Sequence, residues 1–267
     1  MSKIVIVGKS SLLARRFLTL ASPKNVVAVS HGDIDTPGLF DDVACVVNFA
    51  FDPRMGREPY AVERDIDVVI AKRIHSSTRF VMLSTRMVYG AEQNRGARED
   101  DQAIGLNQYG KNKVETEARL TDLLGGRLVI LRIGNVLAWE PENSGGNFML
   151  RLLESLRNHG CINYDISPFV RKDFVTERYL VDALDKACAS NLGGKCNVGS
   201  GIPLEVGRVA MWVLEGYGQG NLMVSSPREV DEFWLDMTRS TELFGTPPGR
   251  EDLRLACVEL GKKIARD

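Results

Sequence analysis

Ile4-Val5-Ile6-Val7-Gly8-Lys9-Ser10-Ser11-Leu12-Leu13-Ala14 is the stretch that decides the fold. Its first four residues are β-branched and apolar, the composition of a buried strand. Gly8 ends that strand. From residue 11 to residue 21, Leu12, Leu13, Phe17, Leu18 and Leu20 supply the apolar face of a helix. The alternation continues. Residues 26–29 and 44–49 read as strands, 60–76 as a helix, 80–83 as a strand, 111–124 as a helix and 127–132 as a strand. Strands that alternate with helices form βαβ units with right-handed crossovers. The expected fold class is therefore α/β, a doubly wound parallel sheet. After Asn135 the pattern changes. Residues 141–146 read as a loop, 147–158 as a helix, 173–189 as strand then helix, 195–198 as a short strand and 206–215 as a helix. A Pro/Gly break at 245–249 precedes a last helix from Glu251.

The composition is that of an ordinary globular protein: 267 residues, 44% hydrophobic and 26% charged. A formal net charge of -1 gives no electrostatic footprint for nucleic acid or an anionic membrane. No apolar run reaches the roughly 20 residues of a bilayer span, and the first apolar stretch is too short for a signal peptide. Five scattered cysteines without metal-ligand spacing read as reduced thiols of a cytoplasmic protein. With three histidines, a metal site is not expected.

Three residues carry the chemistry. Tyr109 and Lys113 stand four apart in a helical stretch and so share one face. A neighbouring cation favours the phenolate, which suits Tyr109 to proton transfer at neutral pH. Thr85 closes the strand Phe80-Val81-Met82-Leu83-Ser84-Thr85 and can offer a second hydrogen bond to the same substrate oxygen. Ahead of them lies a strand-to-helix turn, Gly8-Lys9-Ser10-Ser11-Leu12-Leu13-Ala14, at the carboxyl end of the first strand, where open α/β sheets bind ligands. A dinucleotide loop places glycines at its first, fourth and seventh positions. Here only Gly8 remains, with Ser11 and Ala14 at the others. The helix N-terminus still supplies N–H groups and partial positive charge. A simple turn with Ser10 or Ser11 as N-cap is the competing reading. After the second strand, Ser30 and His31, with Lys9 nearby, suit a 2′-phosphate, so NADP is expected ahead of NAD.

Taken together these residues resemble the extended short-chain dehydrogenase/reductases, the nucleotide-sugar epimerases, dehydratases and reductases. Val46-Val47-Asn48-Phe49-Ala50 is similar to the family's strand beside the cofactor. Leu83 to Gly90 resembles the strand with the catalytic Ser/Thr. Leu131-Arg132-Ile133-Gly134-Asn135-Val136 resembles the segment joining nicotinamide and substrate. Arg171-Lys172-Asp173-Phe174-Val175 resembles the stretch near the sugar nucleotide's phosphates, and Cys196 to Gly201 the closing strand and turn. Within the branch, Gly32 to Thr36 and Val46 to Phe51 resemble the dTDP-4-dehydrorhamnose reductases. Arg86-Met87 stand where sugar-nucleotide dehydratases carry an Asp-Glu pair, which argues against dehydration.

The resemblance implies a Rossmann-type sheet and a small, mostly C-terminal substrate-binding domain. Residues 1–137, rejoined by 170–199, would bind the dinucleotide; 138–169 and 200–267 would bind substrate. It implies Thr85, Tyr109 and Lys113 as catalytic residues. The cofactor would meet Gly8, Lys9, Ser10, Ser11, Leu12, Leu13, Ser30, His31, Asp33, Ile34, Phe49, Ala50, Phe51 and Ile133 as well as Tyr109 and Lys113. Arg86, Met87, Asn135 and Arg171 would meet substrate, Asn135 with the alternative of satisfying loop backbone. Trp212, Phe233 and Trp234 are expected in the core of the small domain. The activity implied is NAD(P)H-dependent reduction of a keto group on a nucleotide sugar. An epimerase that retains NAD, or a dinucleotide-binding protein without chemistry, are the alternatives. Family members commonly form a homodimer through the helices read at 60–76 and 111–124. The charges of Asp65, Asp67, Lys72 and Arg73 are expected on the exposed face of the first.

Overall fold

The computed structural model describes residues 3–90, 95–141, 148–228, 230 and 232–267. All but Pro141 of the loop expected at 141–146 lies outside these, as does residue 147. In chain order the elements begin β1 (Lys3–Val7), α1 (Leu12–Leu20), β2 (Val26–Val29), β3 (Val43–Asn48), α2 (Ile66–Ala71), β4 (Arg79–Thr85), α3 (Gln108–Leu124) and β5 (Leu128–Ile133). They continue β6 (Asn135–Leu137), α4 (Phe148–His159), β7 (Cys161–Ile166), β8 (Arg171–Lys172), β9 (Phe174–Thr176), α5 (Glu177–Ala189) and β10 (Gly194–Val198). The last are β11 (Leu204–Glu205), α6 (Val206–Tyr217), β12 (Asn221–Arg228), α7 (Thr238–Phe244) and α8 (Arg250–Ile264).

The chain divides into two compact units. One comprises Met1–Gly90, Glu99–Ile133 and Val181–Asn197; the other comprises Ala91–Arg98, Gly134–Leu180 and Val198–Asp267. The first is built on a six-stranded sheet ordered β10-β5-β4-β3-β1-β2. The pairs β1–β2, β1–β3, β3–β4 and β4–β5 are parallel. Its strands are apolar on both sides because helices cover both sides. Val5, Val46, Phe80, Met82 and Ile130 join Val68, Ile70, Leu120 and Leu124 of α2 and α3 in one core layer. Ile6, Val47, Val81 and Val129, which alternate with them along the strands, are equally buried.

The helix expected over 60–76 is far shorter. Residues Val62–Arg64 form a 3-10 turn, and the α-helix spans only Ile66–Ala71. Asp65 is the reason. Its backbone is extended, and its carboxylate accepts from Val68 N at 3.3 Å as an N-cap. Tyr60 and Thr116 hold the same carboxylate, at 2.7 and 2.6 Å.

In the second unit Trp139, Leu153, Leu156, Tyr164, Phe174, Val209, Trp212 and Leu253 form the core. Trp139 is fastened to α8 and the residues that follow it: its carbonyl accepts from Lys263 in the helix and its Nε1 donates to Asp267 beyond it. A parallel pair, β7 with β12, was not foreseen from the sequence. Among the described residues no helix is long and apolar enough to cross a membrane.

Candidate active site

The strand order reverses between β1 and β3, the topological switch point where a doubly wound sheet opens a ligand crevice. Gly8 lies there with φ +88°. A Cβ on Gly8 would stand 2.6 Å from Ala50 N and 2.9 Å from the Phe49 carbonyl carbon, so no other residue fits. Ser11 N donates to Gly8 O at 2.9 Å and starts α1. Ser11 is the N-cap in backbone geometry, but its hydroxyl makes no capping bond. Leu12 is buried and Leu13 half-buried, while Lys9 and Ser10 are exposed. At the end of β2, Ser30 N donates to Asp33 Oδ2 at 3.0 Å across the 3-10 turn His31–Asp33. Ile34 packs on the sheet core. Phe49 meets Phe17 of α1 in a tilted ring pair, with centroids 6.2 Å apart.

Thr85 is the last residue of β4, and its Oγ1 accepts from Met87 N at 3.2 Å. That bond uses an acceptor lone pair and leaves the hydroxyl proton to donate elsewhere. The turn Arg86–Val88 then meets the start of α3. Gly105 N donates to Val88 O at 2.9 Å and Leu106 N to Met87 O at 2.8 Å. Asn107 caps the helix by accepting from Gly110 N at 2.9 Å. A Cβ on Gly110 would lie 2.1 Å from Met87 O. The Tyr109 helix and the Thr85 turn therefore touch backbone to backbone. Gly110→Ala is expected to force them apart and destabilise the protein by about 2 kcal/mol, the overpacking range. Chemical denaturation measures that loss, and turnover should fall with it.

One turn on, Lys113 is buried. Its Nζ donates to Leu83 O at 3.1 Å and to Asp67 Oδ2 at 3.2 Å. Phe51 bridges the pair: its ring meets Tyr109 edge-on at 5.4 Å, and Lys113 Nζ lies 5.7 Å from its centroid. Phe51, Asp65, Asp67, Asn112 and Lys113 line an opening of about 260 Å³, solvent-continuous space included. Arg86 is buried and Met87 half-buried.

Asp65 and Asp67 do not face solvent as the sequence reading expected; they are 3% and 5% exposed. The short α2 turns both toward α3, where hydrogen-bond donors meet them. Asp67 Oδ1 accepts from Asn48 Nδ2 at 2.8 Å. Burial pushes the Asp67 carboxyl up, and the Lys113 ammonium pulls it back. Burial also opposes the charge on Lys113, but Asp67, Tyr109 and Asp65 outweigh it and hold the ammonium above the ordinary lysine range. Neither Asp67 nor Asn48 was singled out as part of this site. The available signal was an Asp-x-Asp at the head of a helix preceding the Tyr-x-x-x-Lys unit.

Behind the site lies a second polar cluster. Glu117, one turn after Lys113, accepts from Ser84 Oγ at 2.6 Å and from Arg132 Nε and Nη2 at 3.1 and 2.7 Å. The Arg132 guanidinium lies 4.7 Å over the Tyr89 ring, and Tyr89 OH donates to Asn197. Ile133 follows Arg132 at the end of β5.

The other unit holds Asn135 and Arg171. Asn135 donates twice to Asp173 O, from its backbone at 3.1 Å and its amide at 3.0 Å. Arg171 forks onto Glu232 with Nε and Nη2 at 2.9 and 2.5 Å, and the guanidinium holds that carboxyl below its usual range. Phe233 and Trp234 are not core residues. Both are half-buried, with Lys172 over one ring at 5.3 Å and Arg171 over the other at 5.4 Å. Cation–π contact keeps one ring face beside a polar group instead of apolar neighbours. Asp173 accepts from Ser200 N, Ser200 Oγ, Gly201 N and Leu235 N; burial nevertheless pushes its carboxyl up to about 6.

Residues 2–165 match the family model described as RmlD substrate binding domain. A curated relative, UDP-glucose 4-epimerase of Azospirillum brasilense, is 39% identical over 71 residues, 26% of this chain. The chain spans only 20% of that relative's length. Among solved structures, MoeE5 in complex with UDP-glucuronic acid and NAD superposes with TM-score 0.80 at 20% identity, covering 98% of this chain and 99% of the other. The UDP-N-acetylglucosamine 4-epimerase from Methanobrevibacter ruminantium M1, in complex with UDP-N-acetylmuramic acid, gives TM-score 0.81 at 13% identity, with 98% and 97% covered. At these identities the two structures establish the shared fold.

Proposed function

The chain belongs to the RmlD substrate binding domain family, within the extended short-chain dehydrogenases/reductases, and on that premise we propose that it is an NAD(P)-dependent enzyme that reduces a keto group on a nucleotide-activated sugar. The observation that carries this reading is the backbone contact between the Thr85 turn and the Tyr109 helix, with Lys113 locked one turn further on.

The residues at the switch point fit a dinucleotide. The first turn of α1 offers backbone N–H groups there, and the uncommitted Ser11 hydroxyl can meet a phosphate oxygen in place of the missing glycine. Bound NAD(P)H supplies the hydride. Tyr109 gives its phenolic proton to the sugar oxygen, and the Thr85 hydroxyl donates to that oxygen as negative charge develops. Lys113 has three N–H donors; two are spent on Leu83 and Asp67, and the third serves a ribose hydroxyl. Arg171, with a guanidinium suited to phosphate geometry, is the proposed diphosphate ligand, exchanging Glu232 for substrate.

Asp33 bears on the cofactor. A carboxylate at the end of β2 repels a 2′-phosphate and accepts from ribose hydroxyls. It supports NADH, against Ser30, His31 and Lys9, on which the expectation of NADPH rested. A second reading, the epimerase, is favoured by the epimerases among the similar proteins, and it needs only NAD. The test is consumption of NADH and of NADPH against a panel of 4-keto nucleotide sugars. Turnover of one sugar, faster with NADH, is expected. A strong NADPH preference overturns the cofactor reading. Interconversion of two sugars without net consumption favours the epimerase, and no dinucleotide binding at all overturns both.

A further inference from the structure

We propose that Asp67 is the positioning residue for Lys113, a buried counter-ion delivered by α2 that fixes the ammonium where its third N–H meets the dinucleotide ribose. The inference rests on the dinucleotide reading above and extends it to a residue outside the Thr85, Tyr109 and Lys113 set. An interior lysine sheds its proton unless an opposite charge holds it. Lys113 is enclosed, and its protein partners are the Leu83 carbonyl at 3.1 Å and the Asp67 carboxylate at 3.2 Å. The carbonyl can orient an ammonium; the carboxylate also balances its charge.

Asp67 is itself fastened. Asn48 Nδ2 donates to Oδ1 at 2.8 Å, and Asn48 is pinned by Ala50, whose N–H donates to its Oδ1 at 2.9 Å and whose carbonyl accepts from its Nδ2 at 3.1 Å. A line of hydrogen bonds thus runs from the end of β3, through α2, to the lysine of α3. Asp65 adds to the negative charge that favours the ammonium, but its hydrogen bonds, like those of the other charged groups of the neighbourhood, go elsewhere. Asp65, also on α2, accepts from Tyr60 OH, Thr116 Oγ1 and Val68 N. Arg64 pairs with Glu58, and Asp52 with Arg54. From α3 the nearest titratable group is Tyr109, and from β4 only the Leu83 carbonyl reaches the ammonium.

The test is the titration of Lys113, followed by NMR on the full chain with ¹³Cε-labelled lysines and assigned with Lys113→Arg. In the wild type the ammonium is expected to stay charged to the highest pH at which the protein is folded. In Asp67→Asn it should release its proton at least about ten-fold more readily, one pH unit lower. NADH affinity, read by fluorescence across the folded pH range, should then begin to fall at least about one pH unit lower in the variant than in the wild type, and the wild-type profile should return in Asp67→Glu. A Lys113 titration that is the same with and without the carboxylate overturns the proposal. A wild type that binds no dinucleotide instead overturns the cofactor reading, while the titration still judges Asp67. Should Asp67→Asn not fold, Asn48→Ala leaves both charges and unfastens the carboxylate. It should weaken NADH binding several-fold, and unchanged affinity would sink the inference.

Discussion

Tyr109→Phe should lower kcat by about 10³-fold, within the range for loss of a general acid, and leave dinucleotide affinity within about two-fold. A factor of 10³ is about 4 kcal/mol of barrier. The substitution removes one oxygen and little else. Phe51 still meets an aromatic edge, Asn107 still caps α3, and Gly110 still seats the helix on Met87. Lys113 keeps both protein partners. The loss therefore falls on proton transfer, with KM nearly unchanged. Steady-state kinetics with a reducible keto sugar, paired with a fluorescence titration of NADH, separates the two effects. Retention of most of the rate removes Tyr109 from the mechanism.

Glu117→Leu should cost about 3–5 kcal/mol of stability, the range for breaking a buried ion pair. Arg132 is fully buried, and Glu117 meets it through two hydrogen bonds. Burial opposes the arginine's charge, and the glutamate more than compensates. Without Glu117 the guanidinium keeps its charge and loses its counter-ion, while Ser84 loses its acceptor. The thermal midpoint should drop by roughly 10 °C. The double variant Glu117→Leu/Arg132→Met removes both charges and should regain most of that drop. Near-UV circular dichroism on heating reads both. If the double variant is no more stable than the single, charge burial is not the cause.

The sheet could be read from the sequence because its strands are buried on both faces. Val26–Val29 has the expected bounds, and Ile4 to Val7 and Phe80 to Leu83 differ only at their ends, where polar residues extend the pairing. Four-residue spacing likewise places Tyr109 and Lys113 together, since that is a property of one helix. The partners of Lys113 were hidden for the opposite reason. Asp67 is brought to it by folding, and an aspartate read in isolation belongs to solvent. The length of α2 was misread because Asp65 spends its carboxylate on capping and on Tyr60, which no periodicity records. Strand β12, Asn221–Arg228, is mostly exposed and carries Pro227, so neither alternation nor β-propensity marks it.

The meeting of Gly110 with the Met87 carbonyl has a consequence for how such a protein diversifies. The Thr85 turn and the Tyr109 helix, on which the proposed reaction depends, share one main-chain mount at this contact, with no interposed side chain for mutation to trim or enlarge. On the proposed roles, a change of substrate preference would then be sought among the residues around that mount, with Tyr109 and Thr85 left in place.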